Sequence, residues 1–407
     1  MIDIKKLRED PDFFRRATVA KNRDAGLVDE VLRFDEQKRS LLQKVEVLRA
    51  ERNKLTKEDI ERGKVLKAEL TRLEEELTAV DVNLMVALWK IPNPALPEVP
   101  VGKDESENVE VRKWGEIPRF DFKIKSHFEL GEDLDLIDTV RAGKVSGSRF
   151  GYLKNEGVLL ELALVNLGLK HLIAKGFVPV FPPVLIQKQV MDSLGYNNYG
   201  FEETYCLPED NLCLVATAEH AIVPYFMNEV LAEQELPKRF VGFSSAFRRE
   251  AGSYGKDTKG ILRVHQFNKL EMVSFVKPED SAKEHEFLLS IEEELMQMLK
   301  LPYHVVKMCT GDLGDPAAAK YDIEAWFPSE EKYRETHSVS TVTDYQSRRL
   351  NIKYKGKEGN DFVYILNGTV FSERPILAIL ENYQQPDGSV KVPEVLREYL
   401  GKEVIRP

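Results

Sequence analysis

The residues between Phe247 and Glu271 carry most of the chemistry that this sequence offers. The segment begins with Phe-Arg-Arg-Glu, passes through a loop rich in glycine and lysine, and returns through Arg263, His265, Phe267, Lys269 and Glu271 at every second position. If both ends are strands, residues two apart share a face, as Arg248 and Glu250 would. Such charges are costly to bury without partners, and a guanidinium suits phosphate or carboxylate oxygens. The pattern predicts a site for a charged ligand; an exposed sheet face with salt bridges is the alternative.

Two long helices are predicted upstream of this segment. Apolar residues recur at alternating three- and four-residue spacings, which is typical of a coiled coil. The first seam is Leu27, Val31, Phe34, Leu41, Val45, Leu48 and Leu55, and the second is Leu66, Leu70, Leu73, Leu77, Val80 and Leu84. A short polar turn separates them, so we expect an antiparallel hairpin with arms of roughly 40 Å each.

The surface of this hairpin is basic near its turn. Between Lys38 and Lys57 seven residues are basic and two are acidic. Such a strip indicates either a solvated coiled-coil face or a surface that follows a phosphate backbone. Composition alone does not decide between the two.

A cluster of prolines at Pro92, Pro94, Pro97 and Pro100 ends the hairpin. We therefore expect a helical domain over residues 1–100, with its arm at about 27–90, and a second domain over 101–407. In the second domain β-branched and aromatic runs alternate with helices, for example at 177–184, 240–247, 270–276 and 362–366. This mixture predicts an α+β fold around a mainly antiparallel sheet.

The composition excludes several classes of protein. With 407 residues, 43% of them hydrophobic, the chain can bury a sizeable core, and its net charge of −10 argues against a protein that coats nucleic acid indiscriminately. We find no signal peptide and no apolar run of about 18 residues, so no membrane segment is predicted. The three cysteines match no metal or redox spacing, and we expect buried, reduced thiols and a cytosolic protein.

The run FRREAGSYGKDTKGILRVHQFNKLE resembles motif 2 of the seryl-tRNA synthetases, including the signature GSxGxDTxGxxRVHQFxKxE. The HIGH and KMSKS signatures of class I synthetases and the Walker pattern do not occur in the sequence. Two further stretches match in order: residues 175–185 resemble motif 1, and residues 366–384 resemble motif 3. The resemblance implies a class II synthetase domain, an antiparallel sheet with flanking helices, that uses ATP, L-serine and tRNA.

The resemblance also implies a role for each matched position. Arg248, Glu271 and Arg374 are the expected catalytic residues, and Glu335 with Ser338 would hold Mg²⁺ on the phosphates of ATP; no zinc is expected. The ATP-binding set is Arg248, Arg249, Glu250, Val264, Phe267, Glu335, Thr336, His337, Ser338 and Arg374. The serine-binding set is Thr217, Ala218, Glu219, Arg248, Glu271, Asn367 and Thr369.

For the hairpin, the resemblance implies contact with the long variable arm of tRNA(Ser), while the motif 2 loop would approach the acceptor end. The implied tRNA-binding residues are Lys38, Arg39, Lys44, Arg49, Arg52, Lys54, Lys57, Lys256 and Lys259. A homodimer in the cytoplasm, with no membrane contact, also follows from the family. Whether tRNA(Sec) is a second substrate stays open.

The sequence departs from the family pattern at several points. Its arm is shorter than in typical bacterial members, and His220 follows the Thr-x-Glu element where an apolar residue is common. Four residues, one fewer than usual, separate Thr369 from Arg374. Because strand side chains alternate, one of these two should face away unless a bulge or turn absorbs the difference.

Two other functions are compatible with the same residues. A non-catalytic tRNA-binding paralogue would be consistent with the shortened segment before Arg374. A ligase that charges a carrier protein would need zinc with a cysteine ligand in the pocket, and no cysteine stands at positions 217, 271 or 369.

Overall fold

The chain forms two units, residues 1–94 and residues 95–407, in this computed structural model. The structure describes residues 1–56, 58–196, 203–251, 255, 259–357 and 359–407. Each unit is described by itself below.

Four helices make up the first unit: α1 (Ile4–Glu9), α2 (Pro11–Ala20), α3 (Gly26–Arg52) and α4 (Ile60–Lys90). Aspartates begin the first two. The carboxylate of Asp3 accepts from the backbone N–H of Lys5 at 2.8 Å, and that of Asp10 accepts from Phe13 at 2.9 Å. Pro11 fits the first position of α2 because it has no N–H to leave unpaired there.

The long helices α3 and α4 form a hairpin, as the apolar spacing predicts. Leu41 and Val45 of α3 pack in one buried cluster with Leu70 and Leu73 of α4. The remaining surface of both helices is mostly exposed, so this seam is what holds the arm together.

The seam differs from the predicted one at the base of α3. Val28 and Asp35 are buried there, while Leu27 and Phe34 are only half-buried. A carboxylate is tolerated at this buried position because Arg8 of α1 lies 3.5 Å from it. The prediction was wrong by one residue here, since the packing of α1 is not visible in the heptad pattern.

Among the basic residues near the turn, some are neutralised by neighbours within the hairpin. The ion pairs, at 2.5 to 3.0 Å, join Lys38 to Asp81, Arg39 to Asp35 and Arg49 to Glu74. Lys44, Arg52 and Lys54 are exposed and make no ion pair with any residue that the structure describes. Lys57 lies outside the described residues.

The second unit contains nine α-helices within its described ranges. They are α5 (His127–Asp133), α6 (Thr139–Ser146), α7 (Glu156–Ala174), α8 (Lys188–Ser193), α9 (Glu219–Ile222), α10 (Ser281–Met298), α11 (Tyr345–Leu350), α12 (Arg374–Asn382) and α13 (Arg397–Leu400). Its strands are β1 (Val109–Trp114), β2 (Ile137–Asp138), β3 (Tyr152–Leu153), β4 (Val178–Val180), β5 (Leu185–Gln187), β6 (Cys206–Leu207), β7 (Leu212–Leu214), β8 (Val230–Ala232), β9 (Lys238–Phe247), β10 (Gln266–Val276), β11 (Tyr303–Lys307), β12 (Ala319–Phe327), β13 (Lys332–Thr343), β14 (Lys353–Gly356), β15 (Gly359–Phe362), β16 (Tyr364–Phe371), β17 (Val390–Lys391) and β18 (Val404–Ile405).

One eight-stranded sheet organises this unit, in the order β1-β11-β12-β13-β16-β10-β9-β4. Every neighbouring pair is antiparallel except β4 with β9, which is parallel. The α+β fold with a mainly antiparallel sheet is therefore confirmed. Strands β10, β13 and β16 lie in the centre of the sheet, where they carry the residues of the site.

Helix α7 packs closely on the sheet. A Cβ on Gly168 would lie 2.8 Å from side-chain atoms of Leu270 and Val370, so only glycine allows this approach. Within the described residues, α7 is also long and apolar enough to span a membrane, and 44% of its apolar stretch is buried in the fold. It contains no uninterrupted apolar run of about 18 residues, since Glu161 and Lys170 interrupt it. A buried core helix meets the same criterion.

The cysteines also differ from the prediction. Cys206 and Cys213 face each other across the β6–β7 pair and form a disulfide, while Cys309 is free and buried. The expectation of three reduced thiols was wrong, because the register that pairs two cysteines in a hairpin depends on a turn whose length the sequence does not specify. The inference of a cytosolic protein from the cysteines therefore loses its basis.

A buried carboxyl lies beneath the centre of the sheet. Glu292 of α10 is 0% exposed, and neither of its oxygens has a hydrogen-bond partner among the described residues. A Cβ on Gly368 would lie 2.9 Å from its Oε1. Burial raises the pKa of Glu292 well above its ordinary value, and the nearby charge of Glu271 raises it further.

We expect Glu292→Gln to stabilise the fold increasingly as the pH rises. The folded pKa lies above the unfolded one, so stability is fully present below the unfolded pKa, about 4.3, and declines as the pH rises towards the folded value. Each pKa unit between the unfolded and the folded value corresponds to about 1.4 kcal/mol in the free energy of unfolding. Thermal midpoints from pH 4 to pH 8 measure this, with the exposed Glu398→Gln as control. An unfolding temperature that differs from the wild type equally at every pH would contradict it.

Candidate active site

The site is a cavity on the sheet, between the strands β10, β13 and β16, the N-terminus of α12 and the ends of the segment 247–271. Of the residues predicted to bind ATP or serine, those that line this cavity are Arg248, Glu250, Val264, Phe267, Glu335, Thr336, Ser338, Thr369 and Arg374. The residues that line it without having been predicted are Ile261, Leu262, Ser372 and Glu373; Arg263 and Lys269, which were predicted only as charges on the ligand-facing side of the 247–271 segment, line it as well.

β9 and β10 pair along their length, and Phe247 lies opposite Gln266 at the end of the ladder. Phe267, Lys269 and Glu271 alternate within β10 as predicted, but Arg248, Glu250, Arg263 and His265 lie outside both strands, so the alternation predicted for them was wrong. Instead the backbone N–H of Arg248 donates to the carbonyl oxygen of His265 at 2.9 Å. Glu250 adopts a left-handed backbone conformation with φ of 54°, and its carboxylate accepts from Arg263 at 2.7 Å.

An aromatic ring and two guanidinium groups line the outer part of the cavity. The guanidinium carbon of Arg248 lies 5.1 Å from the centre of the Phe267 ring, within cation–π distance. Arg374 donates to the carbonyl oxygen of Glu335 at 2.9 Å and lies 3.0 Å from its carboxylate. This wall can stack a planar base and neutralise phosphate charge.

The Glu335 carboxylate is held in its ionised form. Burial opposes ionisation, but the charges of Arg374 and Lys320 outweigh it and lower the pKa of Glu335 below its ordinary value. Ser338 lies opposite Asp322 in the β12–β13 pair, and Lys320 lies 3.1 Å from the Asp322 carboxylate. Carboxylate and hydroxyl oxygens are the hard ligands that Mg²⁺ takes together with substrate phosphates, so this donor set fits that ion.

The inner end of the site is a buried group of carboxylates around one ammonium. Glu219, Lys269 and Glu271 are all less than 10% exposed. Lys269 Nζ lies 2.5 Å from Glu271 Oε2 and 3.4 Å from Thr217 Oγ1. Burial raises the pKa of both Glu219 and Glu271, and the charge of Lys269 opposes this shift. The charge of Arg248 also acts on both carboxylates, and the ammonium group of a substrate can pair with them as well.

The shortened segment before Arg374 is absorbed by a bulge. Leu270 pairs with Phe371 and Glu271 pairs with Thr369, so Val370 has no partner of its own on β10. Val370 is fully buried in the main core cluster, while both Thr369 and Arg374 line the cavity. Arg374 starts α12 and does not continue the strand, so the strand alternation that would have turned it away does not apply.

Other predicted residues lie elsewhere. His337 is 1% exposed and contacts Phe371, with ring centres 5.8 Å apart; burial lowers its pKa to about 4. Ala218 is 0% exposed, so its side chain does not reach the cavity. Arg249 is exposed and lies 5.6 Å from the Tyr205 ring.

The remaining predicted site residues are Asn367 and two lysines. Asn367 lies opposite Val273 in β16 with 7% exposure, two residues before Thr369, and so it shares that face of the strand. Lys259 lies 5.1 Å from the ring of Phe128. Lys256 lies outside the described residues.

Comparison with known proteins adds independent evidence. Residues 1–95 match the model of the seryl-tRNA synthetase N-terminal domain, and residues 199–383 match the tRNA synthetase class II core domain (G, H, P, S and T). The serine–tRNA ligase of Thermobifida fusca is 45% identical over 419 aligned positions, which cover 100% of this chain and 99% of that protein. This chain belongs to the seryl-tRNA synthetase family. The predicted resemblance is thereby confirmed.

Solved structures of family members share the whole fold. The seryl-tRNA synthetase of Pyrococcus horikoshii, complexed with ATP, is 40% identical with a TM-score of 0.95, and the match covers 100% of both chains. The cytoplasmic serine–tRNA ligase of Naegleria fowleri, in complex with AMP, is 33% identical with a TM-score of 0.91, and the match covers 100% of this chain and 99% of that one. The sequence and the structure thus both indicate the same family.

Proposed function

We propose that this protein activates L-serine with ATP and transfers the seryl group to the 3′ end of tRNA(Ser). The observation that carries the proposal is that Arg248, Glu335 and Arg374 line one cavity together with Thr369, which lies opposite Glu271 in the β10–β16 pair. Arg248, Glu335 and Arg374 suit a nucleoside triphosphate, while Glu271 and Thr369 suit a small substrate that carries an ammonium and a hydroxyl group. The named relatives are serine–tRNA ligases.

In the first step a carboxylate oxygen of serine attacks the α-phosphorus of ATP in line. The bond between that phosphorus and the bridging oxygen breaks, which yields seryl-adenylate and pyrophosphate. Arg248 meets the charge that develops on the α-phosphate, and no side chain has to remove a proton, because the nucleophile is already a carboxylate. Catalysis of this step is therefore positioning and electrostatic stabilisation.

Glu335 and Ser338 are the residues that would hold Mg²⁺ against the phosphates. When bound, the ion supplies positive charge to the departing pyrophosphate. Arg374 keeps the Glu335 carboxylate in place from the other side, 3.0 Å away. In the second step a terminal ribose hydroxyl of the tRNA loses its proton and attacks the seryl carbonyl carbon, and AMP leaves.

Serine is favoured by the charge and polarity of the inner group. Its ammonium group can pair with the carboxylates of Glu219 and Glu271, and its hydroxyl can bond Thr369 and Glu271, which face each other across β16 and β10. Alanine would leave these polar groups unpaired, and a site built for a hydroxyl discriminates strongly against an analogue that lacks it.

For tRNA, the supporting feature is the exposed basic part of the hairpin. Lys44, Arg52 and Lys54 are exposed and suited to a phosphate backbone, and tRNA(Ser) has a long variable arm for them to follow. The same arm on tRNA(Sec) makes that molecule a second substrate to assay. We place the reaction in the cytoplasm, where tRNA is charged.

A second copy of the chain is proposed to cover the outer face of α7 and β4. This face exposes large apolar side chains: Val158, Leu159, Leu162, Ile173, Val178 and Phe181. Phe181 alone is 84% exposed. A contiguous apolar face of this kind is typical of a homodimer interface.

We expect Phe181→Glu to dissociate this dimer. A two-fold interface places the new charge in it twice, so the dimer should weaken at least about 100-fold. Sedimentation velocity measures the change. The control is Val101→Glu, at an apolar residue that is 83% exposed elsewhere in the unit. A Phe181→Glu protein that sediments as a dimer at the wild-type concentration would contradict the assignment.

The proposed function is tested by charging tRNA(Ser) with labelled serine in the presence of ATP and Mg²⁺. We expect serine on tRNA(Ser) and none on a tRNA without the long variable arm. Tight tRNA binding with no adenylate formed would favour the non-catalytic paralogue. Transfer of the amino acid to a carrier protein instead of tRNA, together with stoichiometric zinc, would favour the carrier ligase.

A further inference from the structure

Behind the serine site, Glu219 is held by two residues that belong to neither predicted binding set. The hydroxyl of Tyr196 donates to Glu219 Oε1 at 2.7 Å, and Nε2 of Gln346 donates to the same oxygen at 3.1 Å. Among the residues that the structure describes, none bonds Glu219 Oε2. One oxygen is thus fixed by two donors, and the other has no donor within the part of the chain that the structure describes.

Gln346 is itself fixed. It is 0% exposed in α11, and its Nε2 also donates to the carbonyl oxygen of Leu194 at 3.3 Å. A buried amide with this second anchor can turn little, so the direction of its bond to Glu219 is set by the fold.

His220, which departs from the family pattern, supports the tyrosine. Its ring lies 5.0 Å from the Tyr196 ring, and its Nδ1 accepts from the backbone N–H of Ala216 at 3.3 Å. Burial lowers the pKa of His220 to about 3, with Arg248 and Lys269 adding to the shift, so the ring is neutral. His220 therefore positions Tyr196 by packing and adds no charge beside Glu219.

We propose that Tyr196 is a positioning residue for the amino-acid substrate, which acts by holding Glu219 in the orientation that receives the substrate's ammonium group. The inference rests on the proposed serine activation. Tyr196 and Gln346 supply donors to one carboxylate oxygen, which leaves the second oxygen of Glu219 to receive the ammonium group, while Lys269 pairs with Glu271.

The charge state of Glu219 is coupled to the same contacts. Burial raises the pKa of Glu219, while the hydrogen bonds from Gln346 and Tyr196 and the charges of Lys269 and Arg248 lower it. Glu271 is the other acidic group that faces this site, and it also interacts with Tyr196. Burial keeps the Tyr196 hydroxyl protonated by raising its pKa well above the ordinary value, so it remains a donor.

The test is Tyr196→Phe, assayed by serine-dependent pyrophosphate exchange from pH 5.5 to pH 8.5. Loss of a hydrogen bond to a charged group should raise the KM for serine about tenfold, with little change in kcat, because the ammonium is bound equally in ground and transition states. The acidic limb of kcat/KM for serine should move to higher pH, because Glu219 then loses its charge sooner as the pH falls. The KM for ATP should not change.

A matched control is Tyr303→Phe. Like Tyr196, Tyr303 donates to a glutamate (Glu293, at 3.0 Å) and has a glutamine nearby (Gln297), but it is fully buried and lies in β11, away from the cavity. It should leave the KM for serine and the pH profile unchanged. In a Glu219→Gln background, Tyr196→Phe should change the KM less than twofold, since its effect passes through Glu219.

The outcomes separate the two proposals. If the wild type catalyses no serine-dependent exchange, the proposed function fails. If the wild type does exchange, but Tyr196→Phe gives the wild-type KM and pH profile, or an equal KM increase in the Glu219→Gln background, the role of Tyr196 is overturned while serine activation stands.

Discussion

Arg248→Ala should abolish amino-acid activation while it leaves tRNA binding intact. Arg248 lies over Phe267 and donates from Nε to the carbonyl oxygen of Ala216, beside the serine-binding loop, at 3.4 Å. It thus spans the nucleotide and serine ends of the cavity. Loss of one preorganised charge of this kind lowers kcat about 1000-fold. Pyrophosphate exchange measures the loss, and filter binding of tRNA(Ser) measures what is retained.

The control for this variant is Arg112→Ala. Arg112 pairs with Glu293 at the far edge of the sheet, in β1, and we expect exchange within twofold of the wild type. An Arg248→Ala protein that retains more than a tenth of the wild-type exchange rate would refute the catalytic role given to this guanidinium.

Replacing residues 38–77 by a short turn should have the opposite effect. The variant should lose the charging of tRNA and retain pyrophosphate exchange. Lys38 of α3 and Asp81 of α4 form an ion pair, so the two helices are close enough at this level to be joined by a short turn. The remaining parts of α3 and α4 keep the buried base at Val28 and Val31. Removing the arm takes away the basic surface, and we expect tRNA affinity to fall at least 100-fold at physiological salt.

A finer variant separates charge from shape. A triple variant changes Lys44, Arg52 and Lys54 to alanine. It should weaken tRNA binding at every salt concentration and lower the slope of the logarithm of the binding constant against the logarithm of the salt concentration by about 3. The matched variant changes Lys38, Arg39 and Arg49, which are held in ion pairs, and should lower that slope less. Equal loss of exchange and charging in the arm deletion would contradict this division of roles.

The sequence predicted the residues of the site better than their local geometry. A long, specific motif identified Arg248, Phe267 and Glu271, and the structure brings Arg248 and Phe267 together in the cavity. The strand alternation used for Arg248 and Glu250 was wrong, since a turn that begins at the end of β9 directs them. Likewise the bulge at Val370 compensates the missing residue before Arg374, and no local pattern marks a bulge in advance.

What the sequence could not predict depends on contacts between distant segments. Tyr196, Glu219 and Gln346 lie apart in the chain and meet only when α11 packs against α8, which precedes Tyr196. Lys269 was recognised as a charge on the face of β10, but its place between Glu271 and Thr217 needed the fold. The Cys206–Cys213 pair was missed for a similar reason, because it depends on hairpin register.

The most direct test of the account is amino-acid-dependent exchange of labelled pyrophosphate into ATP, measured with serine, alanine, threonine and glycine. We expect exchange with serine and a kcat/KM at least about 1000-fold lower with alanine. The reason is that the site offers carboxylates for the ammonium group, at Glu219 and Glu271, and hydrogen-bond partners for the hydroxyl, at Thr369 and Glu271. Exchange without any amino acid, or exchange that prefers one of the other three, would contradict serine activation at this site.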